Sequence, residues 1–284
     1  THWDSILHFT RGELKPLDRN NREAIVQRSA AKRQSELNRK YFTDDIVRNR
    51  LTIARLSEKI RNCMLVHLDD ARIKSRAGAL APEKVWRAVA LSDESVFTRP
   101  ERGNDTELSV DILLDASASQ IERQESVSTQ AYMIAESLTR CGIPTRVYSF
   151  CTLNGCTVLR LFRDYEESSK NEAVFDYCAA GWNRDGLAFR AAGWMMRSSH
   201  CERRLLMILS DASPNDDRKL PVAETGKQEL YRGQPGVLDS AAEVEKLRRE
   251  GISVMCIFTG EDDDLPSARR IYGRDLVRIR SIEQ

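Results

Sequence analysis

The chain has 284 residues, 41% of them hydrophobic and 31% charged, with a formal net charge of +1. This is length enough for one large domain or two modest ones with real cores, and the charge content suits a soluble globular protein. No run approaches the roughly 18 consecutive apolar residues of a membrane helix, and no export signal is visible, so direct membrane insertion is not expected.

The charge is divided unevenly. Residues 1–104 carry 21 Lys and Arg against 14 Asp and Glu, whereas the rest of the chain carries 23 against 29. Opposite signs suggest that the two parts attract each other or meet different partners. Basic and acidic residues alternate along the helices, which points to solvated faces and not to nucleic-acid binding. The seven cysteines are scattered, mostly within apolar runs. Such spacing suggests reduced thiols in a cytoplasmic protein and neither a disulfide framework nor a zinc site. Cys151 and Cys156 flank "TLNG" and could face each other across a hairpin.

In chain order, residues 20–70 read as helix. Ile46, Ile53, Leu56, Ile60, Cys63 and His67 recur at helical spacings, with Thr43 or Asp44 as the expected N-cap. His67 on that stripe suits a packed core position. A Gly-containing turn, a short helix opened by Pro82 and a polar linker follow. The domain boundary is expected at Gly103–Thr106, between a smaller helical, basic region (1–104) and a second domain (105–284).

The second part changes rhythm. Leu108–Asp115 reads as a buried strand and Ile121–Cys141 as an amphipathic helix stopped by Gly142 and Pro144. Two strands, 145–153 and 156–162, are joined by Asn154-Gly155, a strong hairpin signal. Helices are expected at 171–180 and 186–198, then a buried strand ending at Asp211 and a long polar loop over 213–238. A helix at 239–250 opens on a capping box, Ser240 and Glu243. A strand at 252–260, a helix at 265–272 and a last strand complete the pattern. Strands alternating with helices imply an α/β fold, a doubly wound, mostly parallel sheet with one antiparallel edge strand.

Ligands of such sheets collect at the carboxyl ends of the strands, where Asp115 and Asp211 both fall. "DASAS" (115–119) offers a carboxylate and two hydroxyls, those of Ser117 and Ser119, at alternate positions. Oxygen ligands with few charges suit a hard divalent cation, Mg²⁺ or Mn²⁺, that keeps a coordination position open. A partner's acidic side chain could complete such a shell. The plain alternative is that Asp115 and the serines cap the following helix.

D-x-S-x-S followed by an Asp after a later strand resembles the metal-ion-dependent adhesion site (MIDAS) of von Willebrand factor A (vWA) domains, which have a Rossmann-like fold. Those domains usually supply a Thr from a third loop. Here Arg184 of "GWNRDGLAFR" stands at that place, and Asp185 beside it is a candidate ligand, direct or through water. "NRDGLAFR", "LSDASPNDD", "LYRGQPGVLDSAAEVEKLRREGISVMCIFTGE" and "RRIYGRDLVRI" resemble the nitric-oxide-reductase activation (NorD) family, with the cobaltochelatase vWA subunit a more distant likeness. The resemblance implies a non-enzymatic accessory protein working with a MoxR-type AAA+ ATPase to activate or insert a metal centre in a client metalloenzyme. The MIDAS cation would then dock an acidic group. Arg184, Asn215 and Asp216 are expected at the partner-binding surface, with Asp216 and Asp217 in solvent.

No G-x-x-x-x-G-K-[ST] occurs, so the ATPase must be another chain. Three rivals stand beside this reading. A chelatase-type subunit would share the site and differ in its partner. A metal-dependent phosphohydrolase could use the two carboxylates. An extracellular adhesion module would sit poorly with unpaired cysteines.

Overall fold

A computed structural model describes residues 5–12, 21–70, 72–75, 79–80, 97–100, 108–221 and 228–278. Its elements in chain order are β1 (Ile6–Thr10), α1 (Arg22–Asp44), α2 (Ile46–Asp70), three short strands β2 (Arg72–Ser75), β3 (Ala79–Leu80) and β4 (Phe97–Pro100), and then β5 (Leu108–Asp115). A 3₁₀ turn (Ala118–Arg123) leads into α3 (Gln124–Arg140), β6 (Thr145–Leu153) and β7 (Cys156–Arg163). After a second 3₁₀ segment (Ser168–Asp176) come α4 (Asp185–Met196), β8 (Arg203–Ser210), β9 (Asn215–Pro221), β10 (Gln228–Arg232) and α5 (Gln234–Arg249). The chain continues through β11 (Ile252–Phe258), α6 (Leu265–Tyr272) and β12 (Leu276–Arg278).

The main sheet has seven strands in the order β1-β7-β6-β5-β8-β11-β12. β6, β5, β8, β11 and β12 run parallel, and β7 runs against β6. Asn154 and Gly155 make the turn between β6 and β7 with φ of 49° and 72°, the left-handed pair a two-residue hairpin needs. β1 pairs with the far side of β7, parallel to it, so the antiparallel strand expected at the edge is followed by one more.

Both faces of the sheet are covered, which explains why its central strands read as unbroken apolar runs. On one face α4, α5 and α6 bury Phe189, Leu247, Ile271 and Tyr272 against Leu113, Leu206 and Ile208. On the other, α3 lays Val127, Ala131, Ala135 and Leu138 over Ile112, Leu114 and Leu209. The Val, Leu, Ile and Phe side chains among these, fully buried, contribute about 1.5–3 kcal/mol each. α1 and α2 pack on the outer side of α3, and Ile53 is buried there.

Several local expectations change. The helix expected over 20–70 breaks at Asp45, so Thr43 and Asp44 close α1 and do not cap α2. The 171–180 helix is a 3₁₀ segment ending at Asp176. Ser240 and Glu243 lie inside α5, which starts at Gln234 with a proline in its first turn; the Ser240 hydroxyl donates to the Gly236 carbonyl, and Glu243 pairs with Arg190. The 213–238 loop contains the β9–β10 hairpin. Cys151 faces Val158 and Cys156 faces Leu153 across the β6–β7 ladder, and all seven cysteines are free. The His67 side chain, the segment from Pro82 and the Gly103–Thr106 boundary lie outside the described residues.

Among the described residues, no helix is long and apolar enough to cross a membrane.

Candidate metal centre

β5 is the strand from which the connections part. The chain leaves it towards β6 on one side and returns to β8 on the other, so the crevice opens between the carboxyl ends of β5 and β8. The parallel register pairs Leu114 with Leu209 and thereby sets the last residue of β5, Asp115, beside the last residue of β8, Ser210. Asp211 follows directly. A third loop, 177–184, is tied to the same strand end by hydrogen bonds from Ala118 N to Gly181 O and from Ala180 N to Ala116 O.

Asp115 is fully buried. Its Oδ1 accepts from Ser117 N at 2.9 Å and its Oδ2 from the Ser210 hydroxyl at 2.8 Å. Its backbone carbonyl accepts the Tyr177 hydroxyl. The Ser117 and Ser119 hydroxyls lie 3.0 Å apart. Ser117 occupies the N-cap position of the 3₁₀ turn but makes no side-chain cap bond, so helix capping does not account for it.

Asp211 is nearly buried, and its Oδ1 accepts from Ser213 N at 3.2 Å. Between the two, Ala212 takes φ of 57°, a conformation that costs a non-glycine residue about 1–2 kcal/mol. Strain of this kind gathers at functional sites.

Asp185 begins α4 and is fully buried. Its Oδ1 accepts from the Asn183 side-chain amide at 2.9 Å, while its Oδ2 has no hydrogen-bond partner. An orphaned carboxylate oxygen in a dry interior is costly unless something outside the protein neutralises it.

The electrostatics join the three acids. Burial, and after it the Asp211 charge, push Asp115 up to about 7 against the pull of its serine hydrogen bonds. Burial and then the charges of Asp115 and Asp211 hold Asp185 well above the usual carboxylate range. Burial followed by Asp211 also raises Asp264, beyond β11. Like charges this close in a low dielectric call for a cation or for protons.

Among the described residues, no group of three or more His, Cys, Asp or Glu side chains forms a metal cage by itself. The candidate donors are the hydroxyls of Ser117 and Ser119, 3.0 Å apart, and the buried carboxylates of Asp115, Asp211 and Asp185, which sense one another through their charges. Their hard oxygens and surplus negative charge fit a divalent cation such as Mg²⁺ or Mn²⁺.

Arg184 does not face this pocket. Its guanidinium is buried on the other side of the loop, 2.8 Å from Asp216 Oδ2 and stacked 4.8 Å from the Tyr231 ring centre. Asp216, expected in solvent, is buried by that pair, whereas Asp217 is exposed as expected. Arg184 and Asp216 therefore hold each other and offer a partner no free surface, while Asn215 is half-buried and bridges to Asn183. Sequence reasoning missed two contributors. Ser210 is visible only as the residue before Asp211, and Asn183 only as the first residue of "NRDG"; neither belongs to a spaced motif.

No protein-family model matches the chain. It is 27% identical over 158 residues to an uncharacterised protein of Pseudomonas aeruginosa, a match covering 53% of this chain and 23% of that protein. It is also 27% identical over 152 residues to Protein NorD of Stutzerimonas stutzeri, covering 51% of this chain and 23% of the relative. The matched part thus spans about a quarter of these curated relatives. Among solved structures, the von Willebrand factor domain of the type V pili tip protein Mfa5 from Porphyromonas gingivalis aligns at a TM-score of 0.47 with 8% identity, covering 61% of this chain and 89% of that one. The VWA domain of SpRpn10 aligns at 0.39 with 13% identity, covering 62% and 89%. At such scores the fold assignment stands on strand order and direction. By its sheet order, its antiparallel β6–β7 pair and the helices on both faces, the chain has a vWA-like α/β fold.

Proposed function

We propose that the chain is a non-enzymatic adaptor that docks its partners through a divalent cation, Mg²⁺ or Mn²⁺, held at the β5–β8 crevice. Ser117, Ser119, Asp115, Asp211 and Asp185 would hold the ion, which would supply a charged docking point. The observation that carries this reading is the unsatisfied, buried Oδ2 of Asp185, whose carboxylate feels the charges of two more buried carboxylates, Asp115 and Asp211. The Ser117 hydroxyl meets both the Ser119 hydroxyl, 3.0 Å away, and the Asp115 carboxylate, which gathers the oxygen donors of this reading at one strand end.

The partner in this proposal is a MoxR-type AAA+ ATPase, and the client a metalloenzyme whose metal centre is inserted or activated in the cytoplasm. The 27% identity to Protein NorD and the resemblance of "NRDGLAFR" and "LSDASPNDD" to that family support this choice. The test is affinity purification from native cytosol with mass spectrometry, with Mg²⁺ or with EDTA. An AAA+ ATPase should co-elute with the wild type in Mg²⁺ and be lost in EDTA and in Asp115→Ala and Asp211→Ala. Equal recovery with both variants would sink the docking role.

A further inference from the structure

Four consecutive residues, 183–186, divide their side chains and amides between two places. Asp185 keeps one buried carboxylate oxygen without a partner and feels the charges of Asp115 and Asp211; the other three grip the β9–β10 hairpin and the residues that flank it.

Asn183 bridges to Asn215 through both backbone hydrogen bonds, 2.8 and 3.0 Å. Its side-chain oxygen accepts from Asn215 N at 3.0 Å, and its amide nitrogen donates both to Asp185 Oδ1 and, at 3.2 Å, to Ser213 O. Arg184 reaches Asp216 Oδ2 and the carbonyls of Arg218 and Lys219 on β9. Gly186 N donates to the Tyr231 hydroxyl on β10 at 2.9 Å, and Tyr231 donates on to Asp239. A Cβ at Gly186 would lie 2.1 Å from Asp239 Oδ2, so a larger residue here would displace the end of the Asp239 side chain.

Resting on the metal-site reading above, we propose that Asn183 and Arg184 are positioning residues that couple the cation pocket to the hairpin. Occupancy at Asp185 tightens the hairpin, and whatever holds the hairpin tightens cation binding. The free Oδ2 meets the ion while Oδ1 keeps its bond to Asn183, so fixing one carboxylate fixes the amide that anchors Ser213 and Asn215. Arg184 carries the same constraint along β9. The reverse effect follows because coupling between two sites is reciprocal.

The test is hydrogen exchange of the full chain by mass spectrometry, with isothermal calorimetry of Mg²⁺ alongside. Saturating Mg²⁺ should slow the amides of 215–219 and 229–232 by about tenfold, within the usual range of coupling between sites. Asn183→Ala should still bind Mg²⁺, weakened by no more than that factor, and lose most of the slowing. Should Asn183→Ala fail to fold, Arg184→Lys makes the same comparison at the other positioning residue, since it keeps a charge for Asp216 and loses the fork that reaches the Arg218 and Lys219 carbonyls. Unchanged exchange in the wild type while calorimetry reports binding overturns the coupling and leaves the metal site standing. Full slowing retained in the folded variant also overturns it. Absence of any Mg²⁺ or Mn²⁺ binding overturns the metal site and the coupling together.

Discussion

Ser210 donates its hydroxyl to Oδ2 of Asp115 at 2.8 Å, a bond between the last residues of two neighbouring parallel strands. The same hydroxyl oxygen accepts from Ala212 N at 3.0 Å, so one side chain steadies both the first carboxylate and the turn that presents the second. Ser210→Ala should cost about 1–3 kcal/mol, because it leaves a buried acceptor and a buried donor without partners. Chemical denaturation measures the loss. Calorimetry should show weaker Mg²⁺ binding in the same variant, and unchanged affinity would mean that Ser210 does not orient Asp115.

The buried carboxylates predict an unusual pH profile. Burial above all raises Asp115 to about 7 and Asp111, within β5, to about 6, the latter against the pull of Arg146. Between an ordinary aspartate's 3.8 and these values the folded protein holds more protons than the unfolded chain, so its stability falls as pH rises through that window. In EDTA, stability should decline from pH 4 towards pH 7, and Mg²⁺ should restore it most at the alkaline end. Asp115→Asn should flatten the decline, match or exceed wild-type stability at pH 8 in EDTA, and abolish the Mg²⁺ effect. Stability in EDTA that rises over this range would contradict the assignment.

Ala212 tests whether the left-handed turn after β8 is needed. It is fully buried at φ 57° between Asp211 and Ser213. Ala212→Gly should leave melting temperature and cation affinity near wild type, since glycine adopts this conformation freely. Ala212→Val should destabilise by about 2 kcal/mol or more, because a β-branched side chain resists positive φ and has no room. Equal stability of the two variants in thermal denaturation would show that the turn relaxes.

One side chain of the N-terminal helices reaches the segment that supports the site. Asn38 on α1 is fully buried, and its amide donates to the carbonyls of Phe175 and Tyr177 at 2.8 and 2.9 Å. Tyr177 in turn donates to the Asp115 carbonyl. Asn38→Ala should cost about 2–4 kcal/mol by orphaning two carbonyls. If α1 does no more than cover α3, urea denaturation will show a loss below about 1 kcal/mol, the scale of one ordinary hydrogen bond.

Periodicity by itself determined the sheet and its helices. Buried parallel strands must be apolar throughout, and helices lying on them must carry one apolar stripe, so the strand 108–115 was legible to the residue. The strand expected to end at Asp211 stops at Ser210, that expected over 252–260 stops at Phe258, and the helix expected over 121–141 starts at Gln124 after a 3₁₀ turn. The Asn154-Gly155 turn was legible for the same local reason, since few pairs take two positive φ angles. D-x-S-x-S also spoke from sequence, because its spacing lies within one turn. β1 was not legible: five residues with no alternation become a strand only because β7 offers them an edge. The start of α5, six residues before Ser240 of the expected capping box, was set by packing and by a first-turn proline.

The direction of each side chain around residue 184 was likewise decided only by tertiary structure. Arg184 and Asp185 are adjacent in the chain, yet one turns to Asp216 and Tyr231 while the other turns to Asp115 and Asp211. Sequence spacing cannot assign that division. It depends on where Asp216 arrives, some thirty residues later, and a buried guanidinium goes to the carboxylate that the fold brings within reach.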